Sequence, residues 1–242
     1  MVVSHLVERY KHGARLGFVN AEQYLTIKAG QREYDTTSGP VSTKWHVVKV
    51  HGADQEFAND LESGRALAVY SFRDLRDVTF SLMRLRNTSF DKLLFENRAL
   101  EAIMNNHAFW MSRPHTLVQQ YEIMVRKPVH SIRQLGRHLG ICLPPKVCSS
   151  LAHKYSLDAN RRKAEALTAR FKHEGRDLSD PLNIEAQDKE SCLHWNHIFD
   201  GRVGIWRELA TEEQRAVFQE LFGQWLVDHG YERVSSWKEW LS

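Results

Sequence analysis

Two apolar runs in this sequence end in residues that can do chemistry. Trp45-His46-Val47-Val48-Lys49-Val50 leads into His51, and Ala66-Leu67-Ala68-Val69-Tyr70-Ser71 leads through Phe72 into Arg73. A histidine titrates near neutral pH and can take a proton from a hydroxyl. Lys49 and Arg73 are fixed cations that suit an anionic substrate. Ser81 lies two helical turns past Arg73, and a guanidinium fork with one hydroxyl can grip a phosphate. If both runs are strands of one parallel sheet, ligands bind beyond their carboxyl ends, and Lys49, His51 and Arg73 gather on one edge. Each residue also has a plainer reading. Asp74 can be an N-cap, and Arg73-Asp74-Leu75-Arg76-Asp77 a solvated, salt-bridged helix start. His51 can be a loop histidine and Lys49 an exposed lysine.

The spacing of apolar residues gives the elements that would hold these groups. Val2, Val3, Leu6, Val7 and Tyr10 recur at helical spacing over residues 1–11, ending near Gly13, with no capping residue ahead of them. Residues 14–44 carry a weaker pattern, and Gln31 to Thr43 reads as loop. Asp54 can cap a helix through Leu61 that Gly64 stops. Leu75, Val78, Leu82, Met83 and Leu85 mark another helix. Residues 45–86 therefore read strand, helix, strand, helix, a βαβ unit with a parallel pair of strands, the second buried on both faces. Asn87 to Trp110 reads as one or two helices, and Leu117 to Tyr121 as a third strand. Pro128 opens a helix to His138, closed by Leu139-Gly140. Helix is expected within Lys146 to Phe171, open to interruption at Ser156 to Asn160. Thr211-Glu212-Glu213-Gln214 starts a helix that ends at Gly230 and turns Val217, Leu221, Trp225 and Leu226 inward. The tail holds Trp237, Trp240 and Leu241. One α/β domain over residues 1–242 is the expected organisation.

Composition narrows the function classes. Over 242 residues the net charge is +3, with 42% hydrophobic and 26% charged residues, which fits a globular protein and excludes a disordered one. No run approaches the apolar length of a membrane span, and the first residues lack the basic and apolar regions of a secretory signal. Three cysteines, Cys142, Cys148 and Cys192, show no framework spacing, which points to a reduced, cytoplasmic setting. Cys192-x-His194-x-x-His197 lacks a nearby fourth ligand, so no metal is expected. Arg161-Arg162-Lys163 reads as a solvated helix face, and nucleic acid is not an expected partner.

Four segments, in order, resemble the sulfotransferase family. Arg73-Asp74-Leu75-Arg76-Asp77-Val78-Thr79-Phe80-Ser81 resembles its 3′-phosphate-binding segment, an Arg and a Ser eight apart around an R-x-x-[RK]-D-V core. Lys49-Val50-His51 resembles the lysine-x-histidine of cytosolic members. Tyr121-Glu122-Ile123-Met124, with Pro128 and Leu139-Gly140-Ile141, resembles the Y-E-D-[LM] segment and the helix after it. Gly201-Arg202-Val203-Gly204-Ile205-Trp206 resembles the G-x-x-G-D-W segment. The resemblance implies a parallel sheet flanked by helices, in a P-loop-NTPase-like sulfotransferase fold. It implies transfer of a sulfuryl group from 3′-phosphoadenosine 5′-phosphosulfate to the hydroxyl of a small-molecule, glycan or lipid acceptor. By the same resemblance Arg73 and Ser81 hold the 3′-phosphate, and Tyr121, Gly201 and Arg202 belong to the cofactor site. His51 is the base, and Lys49 stabilises the transferring group.

The sequence departs from the family in three places. A P-[KR]-S-G-[TS]-[TS]-W phosphate loop is not written in it. Thr37-Ser38-Gly39-Pro40-Val41-Ser42-Thr43 is a poor substitute, since it precedes a strand and Pro40 lacks an N–H. The family's phosphate loop runs into a helix that matches residues 1–11, so the expected fold is N-terminally truncated. Phe199-Asp200-Gly201 stands where cytosolic members carry Arg-Lys-Gly, and Ile205 replaces the Asp of G-D-W. These departures keep open an alternative, a catalytically impaired binding protein or fragment on the same fold.

Overall fold

A computed structural model of the chain describes residues 2–37, 45–179, 193–196, 198 and 201–233. The chain forms two units, each from two stretches: Met1–Phe72 with Met104–Phe199, and Arg73–Ile103 with Asp200–Ser242. The tryptophans and leucine of the tail, residues 38–44 and most of 180–200 lie outside the described residues.

The first unit is built on two pairs of parallel strands. Helix α1 (Val2–Tyr10) leads into β1 (Ala14–Phe18), then α2 (Ala21–Thr37), β2 (His46–Lys49), α3 (Gln55–Glu62) and β3 (Ala68–Phe72). Strand β1 pairs with β2, and β3 pairs with β4 (Thr116–Gln120). The expected pairing of the 45–50 run with the 66–71 run is therefore corrected: each pairs with another strand. Chain proximity was a poor guide because closing a longer loop costs little more than closing a short one. Nor is the second run buried on both faces, since β3 is half-buried along its length and Ser71 is exposed. Both strand pairs still serve one core. Val47, Val69 and Leu117 pack against Leu6 and Val7 of α1 and against Ile132, Leu135 and Leu139.

Local signals explain most boundaries. Asp54 caps α3 by accepting from the Glu56 amide, 2.8 Å away. Gly64 follows that helix at φ +69, the left-handed geometry that ends helices. Pro128 begins the helix Pro128–His138, and Ser156 separates Pro145–Lys154 from Leu157–His173 by capping the second. At Gly13 a Cβ would lie 2.2 Å from Val7 Cγ1 and 2.8 Å from the Trp45 carbonyl, so only glycine lets α1 turn into β1 there.

The second unit packs α4 (Leu75–Arg86) with a π-helical turn (Lys92–Glu96), the short helix α5 (Trp206–Leu209) and α6 (Glu212–Asp228). Thr211 and Gln214 cap α6 reciprocally. Its inward face is Phe218, Phe222 and Leu226, with Phe218 against Phe80 and Phe90. Leu221, expected inward, is 48% exposed. This helix is apolar on adjoining faces, so periodicity alone could not set its phase.

Candidate functional site

Arg73 follows β3 directly and precedes Asp74, which caps α4 by accepting from the Arg76 amide, 3.0 Å away. One terminal nitrogen of Arg73 donates to Asp77 Oδ2 at 3.0 Å and also to the Arg202 carbonyl. The Asp77 side chain is fully buried, while that of Arg73 keeps 19% of its surface exposed. Asp77 accepts two further bonds. The Gly204 amide donates to Oδ2 at 2.8 Å, and the Trp206 amide donates to Oδ1 at 3.1 Å. One carboxylate thus joins the start of α4 to the segment 201–206. Gly204 has φ +80, the left-handed geometry that favours glycine, where its amide turns toward Asp77.

A second ion pair lies beside the first. Buried Arg76 forks onto Asp74, with Nε to Oδ1 at 2.9 Å and a terminal nitrogen to Oδ2 at 2.8 Å, and it also pairs with Glu232. Its guanidinium stacks 3.8 Å from the centroid of the buried Trp206 ring. Burial works against the Arg76 charge, but Asp74 and Glu232 outweigh it and raise its pKa. The expected salt-bridged helix start exists, then, but as a buried network instead of a solvated one.

The other residues read from the sequence fall as follows. Ser81 is on α4 and exposed. Gly201 has φ +70. The Arg202 guanidinium forks onto Glu208 at 2.9 and 3.2 Å on the surface, so its contribution to the cluster is its carbonyl. Arg73, Arg202 and Gly201 all belong to the second unit. Lys49, His51 and Tyr121 belong to the first.

Within the first unit, β1 and β2 end side by side, with Phe18 opposite Lys49 in register. That register sets the His51 ring against Phe18, their centroids 5.1 Å apart. Crowding of the ring, then the Lys49 charge, push the His51 pKa below its ordinary 6.5. A lowered pKa favours the neutral imidazole, the form that can accept a proton. Tyr121 is the first residue of the helix Tyr121–Arg126, which continues β4 without a break. A polar hub lies on α3: buried Asp60 accepts from Tyr24 at 2.6 Å and Arg65 at 2.7 Å and pairs with Lys28 at 3.1 Å.

Sequence reasoning missed Asp77 as more than part of a helix start, although it lies in the R-x-x-[RK]-D-V core. His194 is buried and accepts from the Asn196 amide, while Cys192 and His197 lie outside the described residues. Among the described residues no group of three or more histidines, cysteines and carboxylates is placed to hold a metal, and no helix is long and apolar enough to cross a membrane.

No protein-family model matches the sequence, and no curated protein matches it. Solved structures do match the fold. Retinol dehydratase, in complex with androsterone and the inactive cofactor PAP, aligns at TM-score 0.52 and 19% identity, over 87% of this chain and 62% of that one. A complex of retinol dehydratase with retinol and PAP aligns at TM-score 0.52 and 18% identity, again over 62% of that chain. The mouse sulfotransferase SULT7A1 complexed with PAP aligns at TM-score 0.63 and 14% identity, over 93% of this chain and 78% of that one. The chain thus spans less than two thirds of the retinol dehydratase structures. What these likenesses establish is that this helix-rich α/β chain has the sulfotransferase fold.

Proposed function

We propose that the chain binds 3′-phosphoadenosine 5′-phosphosulfate through its 3′-phosphate and transfers the sulfuryl group to a small-molecule hydroxyl. The observation that carries this reading is Arg73, a partly exposed guanidinium at the end of a parallel strand, held by the 201–206 segment in a fold shared with PAP-bound proteins. Its residues fit a phosphate: a guanidinium offers a planar fork, and Ser81, on the helix that begins just after Arg73, adds a hydroxyl. When bound, the nucleotide supplies an activated sulfuryl group. His51, whose lowered pKa favours the neutral imidazole, accepts the acceptor's hydroxyl proton. Lys49 offers fixed positive charge where negative charge develops. In the second unit Gly201 and Arg202 complete the grip on the nucleotide, Arg202 through its carbonyl on Arg73, and the family resemblance assigns Tyr121 to the cofactor as well. Androsterone and retinol in the retinol dehydratase complexes favour a small apolar alcohol over a glycan or lipid acceptor. A cytoplasmic setting follows from the cysteine usage.

Thermal shift with PAP tests this reading. A ligand of the native state raises the melting temperature, by ~2.7 kcal/mol of stability at a hundred times Kd. Arg73→Ala should remove most of that shift, and no shift at millimolar PAP would sink the proposal. A second reading, nucleotide binding without transfer, is favoured because no P-[KR]-S-G-[TS]-[TS]-W segment occurs in these 242 residues. Labelled-sulfate transfer to an apolar alcohol separates the two.

A further inference from the structure

We propose that Asp77 is a positioning residue for recognition of the donor's 3′-phosphate, acting through Arg73; this rests on the nucleotide-binding reading above. The geometry is a closed ring. Asp77 Oδ2 accepts from both Arg73 and the Gly204 amide. The same Arg73 nitrogen donates to the carbonyl of Arg202, two residues before Gly204 in the same loop. The Trp206 amide on Oδ1 fixes the other side of the carboxylate. A guanidinium tied at one nitrogen to two acceptors that are tied to each other has its orientation chosen before any ligand arrives. Such preorganisation lowers the ordering cost of binding. A buried carboxylate needs hydrogen bonds to be tolerated, and the two loop amides supply them. Arg73 could then have been left to swing, yet it is clamped.

Simple charge counting and positioning predict opposite signs. A carboxylate beside Arg73 repels a phosphate, so by charge alone Asp77→Asn should tighten PAP binding. In the positioning account the same change weakens it. An asparagine presents an N–H₂ toward donors, breaks the ring and releases Arg73. A merely structural role would lower the melting temperature and leave nucleotide discrimination intact.

The test is calorimetric titration of the wild-type chain and Asp77→Asn with PAP and with adenosine 5′-phosphate, which lacks the 3′-phosphate. The wild-type chain should prefer PAP, and Asp77→Asn should lose that preference at least tenfold. In an Arg73→Ala background the same substitution should change the ratio no further. An unchanged or increased PAP preference in Asp77→Asn overturns the proposal. If the wild-type chain shows no preference for PAP, the nucleotide-binding reading fails first and takes this proposal with it. Should Asp77→Asn not fold, NMR of the wild-type guanidinium groups, with Arg73 assigned by Arg73→Lys, decides the matter. A restricted Arg73 guanidinium before nucleotide is added supports positioning, and a freely rotating one overturns it.

Discussion

Arg73 and His51 are provided for in opposite ways. Around Arg73 the second unit has buried two carboxylates, a second arginine and a tryptophan, and has linked them by hydrogen bonds. Around His51 the first unit has done little beyond ending two strands together and setting a phenylalanine against the ring. A phosphate ligand needs a fixed direction, which only a satisfied buried network gives. A base needs a suitable pKa and an approach for its substrate, and an exposed strand end with one crowding ring gives both. In the proposed reading the two regions thus spend different physics on binding and on proton transfer.

Substitutions can break or sharpen that contrast. The largest expected effect is on turnover. His51→Ala should lower sulfuryl transfer by roughly 10²–10⁴-fold, the range for a general base, while the PAP thermal shift stays intact. A lost shift would mean that His51 serves binding instead.

Next comes Asp60, a buried carboxylate of the first unit that no functional reading uses. Burial opposes its charge, but Tyr24, Arg65 and Lys28 together hold its pKa below the ordinary value. Asp60→Ala should destabilise the fold by about 3 kcal/mol, as when one partner of a buried pair is removed. Urea unfolding measures this, and PAP preference should not move.

The pH profile follows. Because the His51 pKa is lowered, the imidazole sheds its proton below pH 6.5, and the acid limb of kcat/KM should lie below that value. Lys49→Ala removes the lesser of the two causes, so the limb should move up toward 6.5 without reaching it. A limb that does not move would remove Lys49 from the account.

The smallest expected effect is at Arg202. Its guanidinium forms an exposed pair with Glu208, worth ~0–1 kcal/mol, and its carbonyl survives truncation. Arg202→Ala should leave PAP affinity within about threefold, and a larger loss in the same titration would place the guanidinium on the nucleotide.

Much of this could be read from residues alone, and the parts that could not share a cause. Asp54, Pro128 and Thr211 announced their helices because capping is local chemistry, and Ser156, read as a point of interruption, caps the second of two helices. Arg73 was legible because its neighbours in sequence form a pattern. The helix α2 was missed although Asn20 and Gln23 cap it reciprocally, with bonds of 2.9 and 2.8 Å, a signal present in the sequence. Strand β1 was hidden by Gly17, at φ +81 within a break in its register, which spoils any alternation. The pairing of strands and the partners of Asp77 depend on residues far along the chain, and backbone amides leave no mark in a sequence. The described residues therefore revise which strands pair and which groups hold Arg73, and they add α2 and β1, while the helices with a capping signal stand nearly as read.

The reach of Asp77 also bears on how the protein is made. Its amide partners come 127 and 129 residues later. At ~5–20 residues per second, a ribosome needs roughly 6–25 s to cover that interval. The stretches of the first unit are complete by Phe199, so its strand pairs can form while the carboxylate still waits. The clamp on Arg73 closes only after Trp206 has emerged. In the proposed reading, recognition of a nucleotide is then among the last properties the nascent chain acquires, and a chain released before Gly204 would carry His51 without a clamped Arg73.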